Sequence, residues 1–140
     1  MSSLNISALE GSLTENEITR EIIGAAIEVH RILGGPGLLE SVYEEALAWE
    51  LNSRGLLVER QVQAPIRYKG QALANPLQID MLVEQKVIVE NKATTQYNSI
   101  FEAQILTYLR IMNLRIGLVI NFGEKYVKDG IHRVANNFHG

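Results

Sequence analysis

Two carboxylates and an amine stand at strand spacing in the middle of the chain. Asp80 lies in the β-rich run from Leu77 to Val83, and Glu90 and Lys92 lie in the run from Val87 to Ala93, with the polar triplet Glu84-Gln85-Lys86 between them as a hairpin turn. Pairing Glu84 with Lys86 makes partner numbers sum to 170, which sets Asp80 opposite Glu90 and Gln78 opposite Lys92. Strand alternation then predicts these four on one face, and Ile79, Met81, Val83, Val87 and Val89 on the face a core would take. Like charges directly opposite in a sheet have Cβ atoms about 4.5–5.5 Å apart and repel. A divalent cation offsets that repulsion. Hard ions such as Mg²⁺ take one or two carboxylates plus substrate phosphate and water. Lys92 could stabilise charge on a phosphorane or position an attacking water, so the chemistry implied is metal-assisted phosphodiester hydrolysis. The alternative is a solvated polar face in which Lys92 pairs with one of the acids.

The elements that must position this hairpin are legible from periodicity. Met1 to Gly11 is small and polar and reads as a flexible N-terminal tail, which leaves 12–140 as a single domain. Ser12 and Thr14 precede Glu15 and Glu17 in a capping-box pattern, and Ile18, Ile22, Ala25, Ala26, Val29 and Leu33 recur at helical spacing. Gly34-Gly35-Pro36-Gly37 ends that helix. A second helix is predicted from about Leu38 to near Gly55, with Leu39, Val42, Ala46, Leu47 and Leu51 on one side. Three strands follow as a meander, then a helix over Ile100 to Met112, then a buried strand from Ile116 to Ile120. The tail from Tyr126 to Phe138 reads as a short strand and then a helix containing Ile131 and Val134. The sum is a mixed α+β layer sandwich.

Composition narrows the function classes. The chain of 140 residues has 13 Lys+Arg against 16 Asp+Glu, net −3, so it lacks the overall basic charge of a non-specific nucleic-acid binder. The charge is divided unevenly: residues 1–50 carry −7 and residues 51–140 carry +4, which makes the second half the phosphate-facing side. With no Cys, disulfides, thiolate zinc sites, cysteine-ligated clusters and a Cys nucleophile are excluded. His30, His132 and His139 show no metal-ligand spacing, and His30 reads as a hydrogen-bonded structural histidine. No apolar run approaches a membrane span, which makes a cytoplasmic protein the expectation.

The stretch Gly37-Leu38-Leu39-Glu40-Ser41-Val42-Tyr43 resembles the pattern that names the GxxExxY proteins. The likeness runs from about Ile22 to Arg133 and takes in Val29-His30, Tyr68-Lys69-Gly70 and the hairpin. That family is grouped with the PD-(D/E)XK nuclease superfamily, and the resemblance implies its restriction-endonuclease-like αβββαβ core, here a central mixed sheet flanked by helices with an extra N-terminal helix. The signature falls on Asp80 and on Glu90-Asn91-Lys92. The resemblance implies a Mg²⁺- or Mn²⁺-dependent nuclease acting on nucleic acid, DNA rather than RNA. In it Asp80 and Glu90 hold metal, Glu40 joins them from its helix, and Lys92 serves the nucleophile. A homodimer fits a small nuclease that must cut two strands. The other reading of Glu40 is an acid favourably placed near a helix N-terminus.

Gln104 and Tyr108, at i and i+4, look like the QxxxY motif of exonuclease-like branches, which contacts DNA or orders the site. Their alternative is core packing of Tyr108 with Gln104 at its edge. Tyr43 stands either as a site-supporting hydrogen-bonder or as a core tyrosine. Two departures are visible: Ile79 stands where proline is usual, and Asn91 where an apolar residue is usual, pointing at the core and in need of partners. The runner-up function is a catalytically weak nucleic-acid-binding or protein-interaction module on the same fold.

Overall fold

Thr14 starts the first helix as its sequence predicts. In the computed structural model, which describes residues 12–137, the Thr14 side chain accepts from the Glu17 backbone N–H and the Glu17 carboxylate accepts from Thr14. This reciprocal cap satisfies two donors that a helix start leaves free. The tail assigned to residues 1–11, and His139, lie outside the described residues. Helix α1 (Glu15–Leu33) buries Ile18, Ile22, Ala25, Ala26 and Val29 and stops at Gly34, whose φ of 93° is open to glycine and closed to most residues. Helix α2 (Glu40–Ser53) buries Tyr43, Leu47, Ala48 and Leu51. Leu39 and Val42, expected on its core side, are instead 73% and 40% exposed.

The central sheet has five strands in the order β1-β4-β5-β6-β7. These are β1 (Val58–Ala64), β4 (Leu77–Val83), β5 (Val87–Lys92), β6 (Ile116–Asn121) and β7 (Ile131–Ala135). A separate small hairpin, β2 (Arg67–Tyr68) with β3 (Gln71–Ala72), interrupts the expected meander. Among the described residues only β5 and β6 pair in parallel, and helix α3 (Ile100–Met112) makes the crossover that parallel neighbours require. Helices α1 and α2 cover one face of the sheet and α3 the other, each over its own apolar cluster. The αβββαβ core with an added N-terminal helix is therefore present.

The tail differs from its reading. A 3-10 turn over Val127–Gly130 comes first, and Ile131–Ala135 is a strand, not a helix. The physical reason is tertiary: β6 would otherwise show an unpaired edge, and β7 closes it with Val134 buried on the α3 side. No helix among the described residues is long and apolar enough to cross a membrane.

The hairpin register is the predicted one, with Val83 paired to Val87 and Met81 to Val89 around a turn in which Glu84 and Gln85 take φ of 53° and 56°. The face assignment is not. Met81, Val83, Val87 and Val89 pack under α1 and α2, but Ile79 and Leu77 pack under α3 together with Leu82 and Ile88. Strand β4 thus reverses its sides at Asp80. Strand β1 does the same: Val58 packs under α1 and α2, whereas Val62 packs under α3. Between them Gln61, the residue facing Asp80 in the β1/β4 register, has φ of 52°. Such a left-handed residue in a strand breaks the pleat, as at a bulge.

Candidate active site

The β4/β5 ladder ends at Met81 and Val89, and beyond that point the carboxylates bond across the gap to the opposite backbone. The Asp80 N–H donates to Glu90 Oε2 at 2.7 Å, and the Asn91 N–H donates to Asp80 Oδ2 at 2.9 Å. Each acid therefore caps the strand that carries the other. Because the pleat has already reversed at Asp80, its side chain lies along the fork between the strands. Asp80 Oδ1 and Glu90 Oε1 have no hydrogen-bond partner among the described residues.

Burial pushes the Asp80 carboxyl up from its ordinary value, with the Asn91 N–H and Lys92 working against it and the charges of Glu44 and Glu40 adding to it. Glu90 is pushed up to about 8, by burial first and by the negative charge of Asp80 second. At neutral pH this site keeps a proton on Glu90, because two anions in a shared low-dielectric fork cannot both ionise cheaply. A dication between the free oxygens would remove that cost.

Lys92 sits on the α3 side, its Nζ 4.5 Å from the centroid of the Phe101 ring, and its charge favours the ionised form of both acids. Its backbone is held from the neighbouring strand: the Phe122 N–H donates to Lys92 O at 2.8 Å, and Asn121 bonds both the N–H and the carbonyl of Thr94 at 3.0 Å. Gly123 lies against the same turn so closely that a Cβ there would stand 2.3 Å from Thr94 O. Gly123→Ala is expected to cost about 2–3 kcal/mol through this backbone clash, read as a lowered melting temperature.

Helix α3 contributes the wall facing the acids. Gln104 Nε2 donates to the Tyr108 hydroxyl at 2.8 Å. Burial and then the charge of Glu90 push the Tyr108 phenol up, so its ring stands within electrostatic reach of the carboxylates. An open cleft of about 580 Å³ is lined by Lys92, Phe101, Gln104 and Thr107 among others. The i, i+4 pair expected from sequence is thus brought to the site.

Helix α2 supplies a different acid from the one singled out. Glu40 is exposed, and its charge is the weakest of the influences on Asp80. Glu44, one turn further along the same helix face, is buried and acts on both Asp80 and Glu90. Arg60 Nε donates to it at 3.0 Å and Gln61 Nε2 at 3.1 Å, and Gln78 in turn donates to Gln61 at 2.9 Å. Gln78, expected beside Lys92, therefore belongs to the Glu44 network. The missed signal was the i, i+4 spacing of Glu40 and Glu44.

Tyr43 is fully buried and stacked on Phe122 with ring centroids 4.6 Å apart. Its hydroxyl donates to Gly35 O at 2.7 Å and accepts from the Leu38 N–H at 3.2 Å, which ties the glycine-rich turn to α2. Tyr43→Phe is expected to lose about 1–2 kcal/mol, measured by denaturant unfolding. His30 is bonded to Phe122 O at 3.2 Å.

Asn91 is 1% exposed and packs toward α1 and α2. Among the described residues its Nδ2 meets only Met81 Sδ at 3.2 Å, and its Oδ1 has no hydrogen-bond partner. Asn91→Leu should raise stability by about 1 kcal/mol or more, seen as a higher melting temperature, because it removes a buried acceptor left unpaired.

Among the described residues no three His, Cys, Asp or Glu side chains converge as a complete metal cage. Glu40 in particular does not complete one. Asp80 and Glu90 each leave one carboxylate oxygen unbonded, hard donors of the kind a Mg²⁺-like ion takes, and such an ion needs few protein ligands and keeps its waters. A family model described as the PD-(D/E)XK nuclease superfamily matches residues 16–134. Neither a curated protein nor a solved structure matches the chain.

Proposed function

Because the chain belongs to the PD-(D/E)XK nuclease superfamily, whose nucleases generally depend on a divalent metal, we propose that it is a Mg²⁺- or Mn²⁺-dependent phosphodiester hydrolase acting on DNA. The observation that supports this reading is the reciprocal bonding of Asp80 and Glu90 across the two strands, which leaves one oxygen of each acid without a hydrogen-bond partner where the charge of Lys92 acts on both. The metal, when bound, polarises the phosphoryl oxygen and lowers the pKa of its water.

The chain's own residues do the rest. Asp80 and Glu90 would hold the metal, and Glu90 would release its proton to solvent on binding it. Lys92 orients the attacking water and offsets charge that grows on the phosphorane. Glu40 and Glu44 keep the α2 side of the site acidic, and Glu44 also fixes the left-handed Gln61 that turns Asp80 into the fork. Gln104 and Tyr108 contact the strand or order the acids. The likeness of the stretch from Gly37 to Tyr43 to the GxxExxY pattern supports grouping the chain with those proteins, and a second copy would serve cleavage of both strands.

The test is incubation of the purified protein with single- and double-stranded DNA and RNA in Mg²⁺ or Mn²⁺, beside Asp80→Ala, Glu90→Gln and Lys92→Ala. No metal-dependent cleavage, or cleavage unchanged from the parent in all three variants, would leave the second reading: a catalytically weak binding module of this fold. The acidic first half of the chain and the unpaired Asn91 within the Glu90–Lys92 segment favour that second reading.

A further inference from the structure

Away from the acids, a cavity of about 430 Å³ opens between the C-terminal end of α1 and the segment that follows β6. It is lined by Ile27, Arg31, Gly34, Lys125, Tyr126 and Lys128 with His30 and Val127. We propose that this cavity is a subsite for an unpaired nucleotide of a single strand, its base against Tyr126 and its phosphates against Lys125 and Lys128. The proposal deepens the nuclease reading and rests on it for the class of ligand.

Three observations carry it. The volume falls within the range of small-ligand sites, about 300–1,000 Å³, and admits a base that has left its stack. Tyr126 is 56% exposed, with Lys125 Nζ 5.4 Å from its ring centroid, and Lys125 and Lys128 are both exposed. Neither lysine makes an ion pair among the described residues, whereas Arg31 is engaged by Glu28. Exposed aromatic rings interleaved with free cations are how proteins hold single strands, since every base has a stacking face. A base in a duplex is already stacked and paired and cannot enter.

Position is the third. Phe122, whose N–H bonds Lys92 O, lies three residues before Lys125, and its ring neighbours His30 on the cavity wall at 6.3 Å. Gly35, also on that wall, accepts the Tyr43 hydroxyl from α2, the helix that carries Glu40 and Glu44. Through Phe122 and Gly35 the cavity wall is thus bonded to the elements that carry Lys92, Glu40 and Glu44.

The experiment is fluorescence anisotropy of a labelled oligothymidylate, alone and annealed to its complement, in chelator so that no cleavage intervenes. Tyr126→Ala should weaken single-strand binding about tenfold, and Tyr126→Phe should restore it. Lys125→Ala combined with Lys128→Ala should reduce the slope of log affinity against log salt by about 1.4, two phosphates at about 0.7 each. Annealed probe should be insensitive to Tyr126→Ala. Melting temperatures of all variants should match the parent, as these side chains are exposed. Unchanged single-strand affinity in Tyr126→Ala, or no binding by the parent, would overturn the subsite even if the parent cleaves DNA. Loss of binding in Tyr126→Ala without cleavage by the parent would keep the subsite and remove the hydrolase.

Discussion

Asp80→Ala should lower Mn²⁺-dependent DNA cleavage by at least about a hundredfold, the scale of removing one group from a preorganised charge-stabilising site. The same substitution should abolish a second, activity-free signal. A metal that binds only the folded protein stabilises it by about 2.7 kcal/mol at a hundred times its Kd, roughly 8 °C of melting temperature for a chain this size. That gain is expected in the parent and absent in Asp80→Ala, because one of the two free carboxylate oxygens is gone. Lys92→Ala should separate the two readouts: it bonds no metal, so the thermal gain persists while cleavage falls comparably. A parent that shows no thermal response to Mn²⁺ would contradict the metal assignment whatever its activity.

The stability of the metal-free protein should fall as pH rises through the neutral range. Glu90 has an ordinary value of 4.5 and is held at about 8 in the fold. Between those values the folded protein keeps a proton that the unfolded chain has released, so raising pH pulls the equilibrium toward unfolding. The contribution is full below about pH 4.5 and is lost as pH passes through about 8. Asp80, also raised, acts in the same direction. Glu90→Gln should flatten this profile and be more stable than the parent at pH 9 by on the order of a few kcal/mol. Denaturant titrations across pH measure it. A parent whose stability instead rises over this range would contradict the buried, repelling pair. Metal affinity should show the mirror image, growing about tenfold per pH unit below pH 8, since the ion must displace the Glu90 proton.

Several features of the site were legible in the residues alone because they depend on near neighbours. The register of β4 and β5 follows from the short polar turn between two apolar runs, and the structure keeps it in Val83 with Val87 and Met81 with Val89. The Thr14–Glu17 cap and the stop at Gly34 are likewise local chemistry. The Gln104–Tyr108 bond needs only a helix, whose period puts i and i+4 together.

The orientation of the acids was not local. Strict alternation put Ile79 with Met81 and Gln78 with Lys92, and it failed because Gln61, on a strand nineteen positions earlier in the chain than Asp80, takes a left-handed conformation opposite it. Nothing in the types of Gln61 or Asp80 announces that geometry; the Glu44 carboxylate from α2 holds the Gln61 side chain in place. Tyr43 turned inward for a similar reason, since Phe122, just past the distant strand β6, offers it a stacking partner. Residue types and spacing by themselves singled out Asp80, Glu90 and Lys92 as candidates and determined the sheet pairing that brings the two acids together. The tertiary structure alone decided which way the acids point, because the reversal of the pleat is set by two strands and a helix meeting at one place, and burial there, not residue type, raises the Glu90 carboxyl.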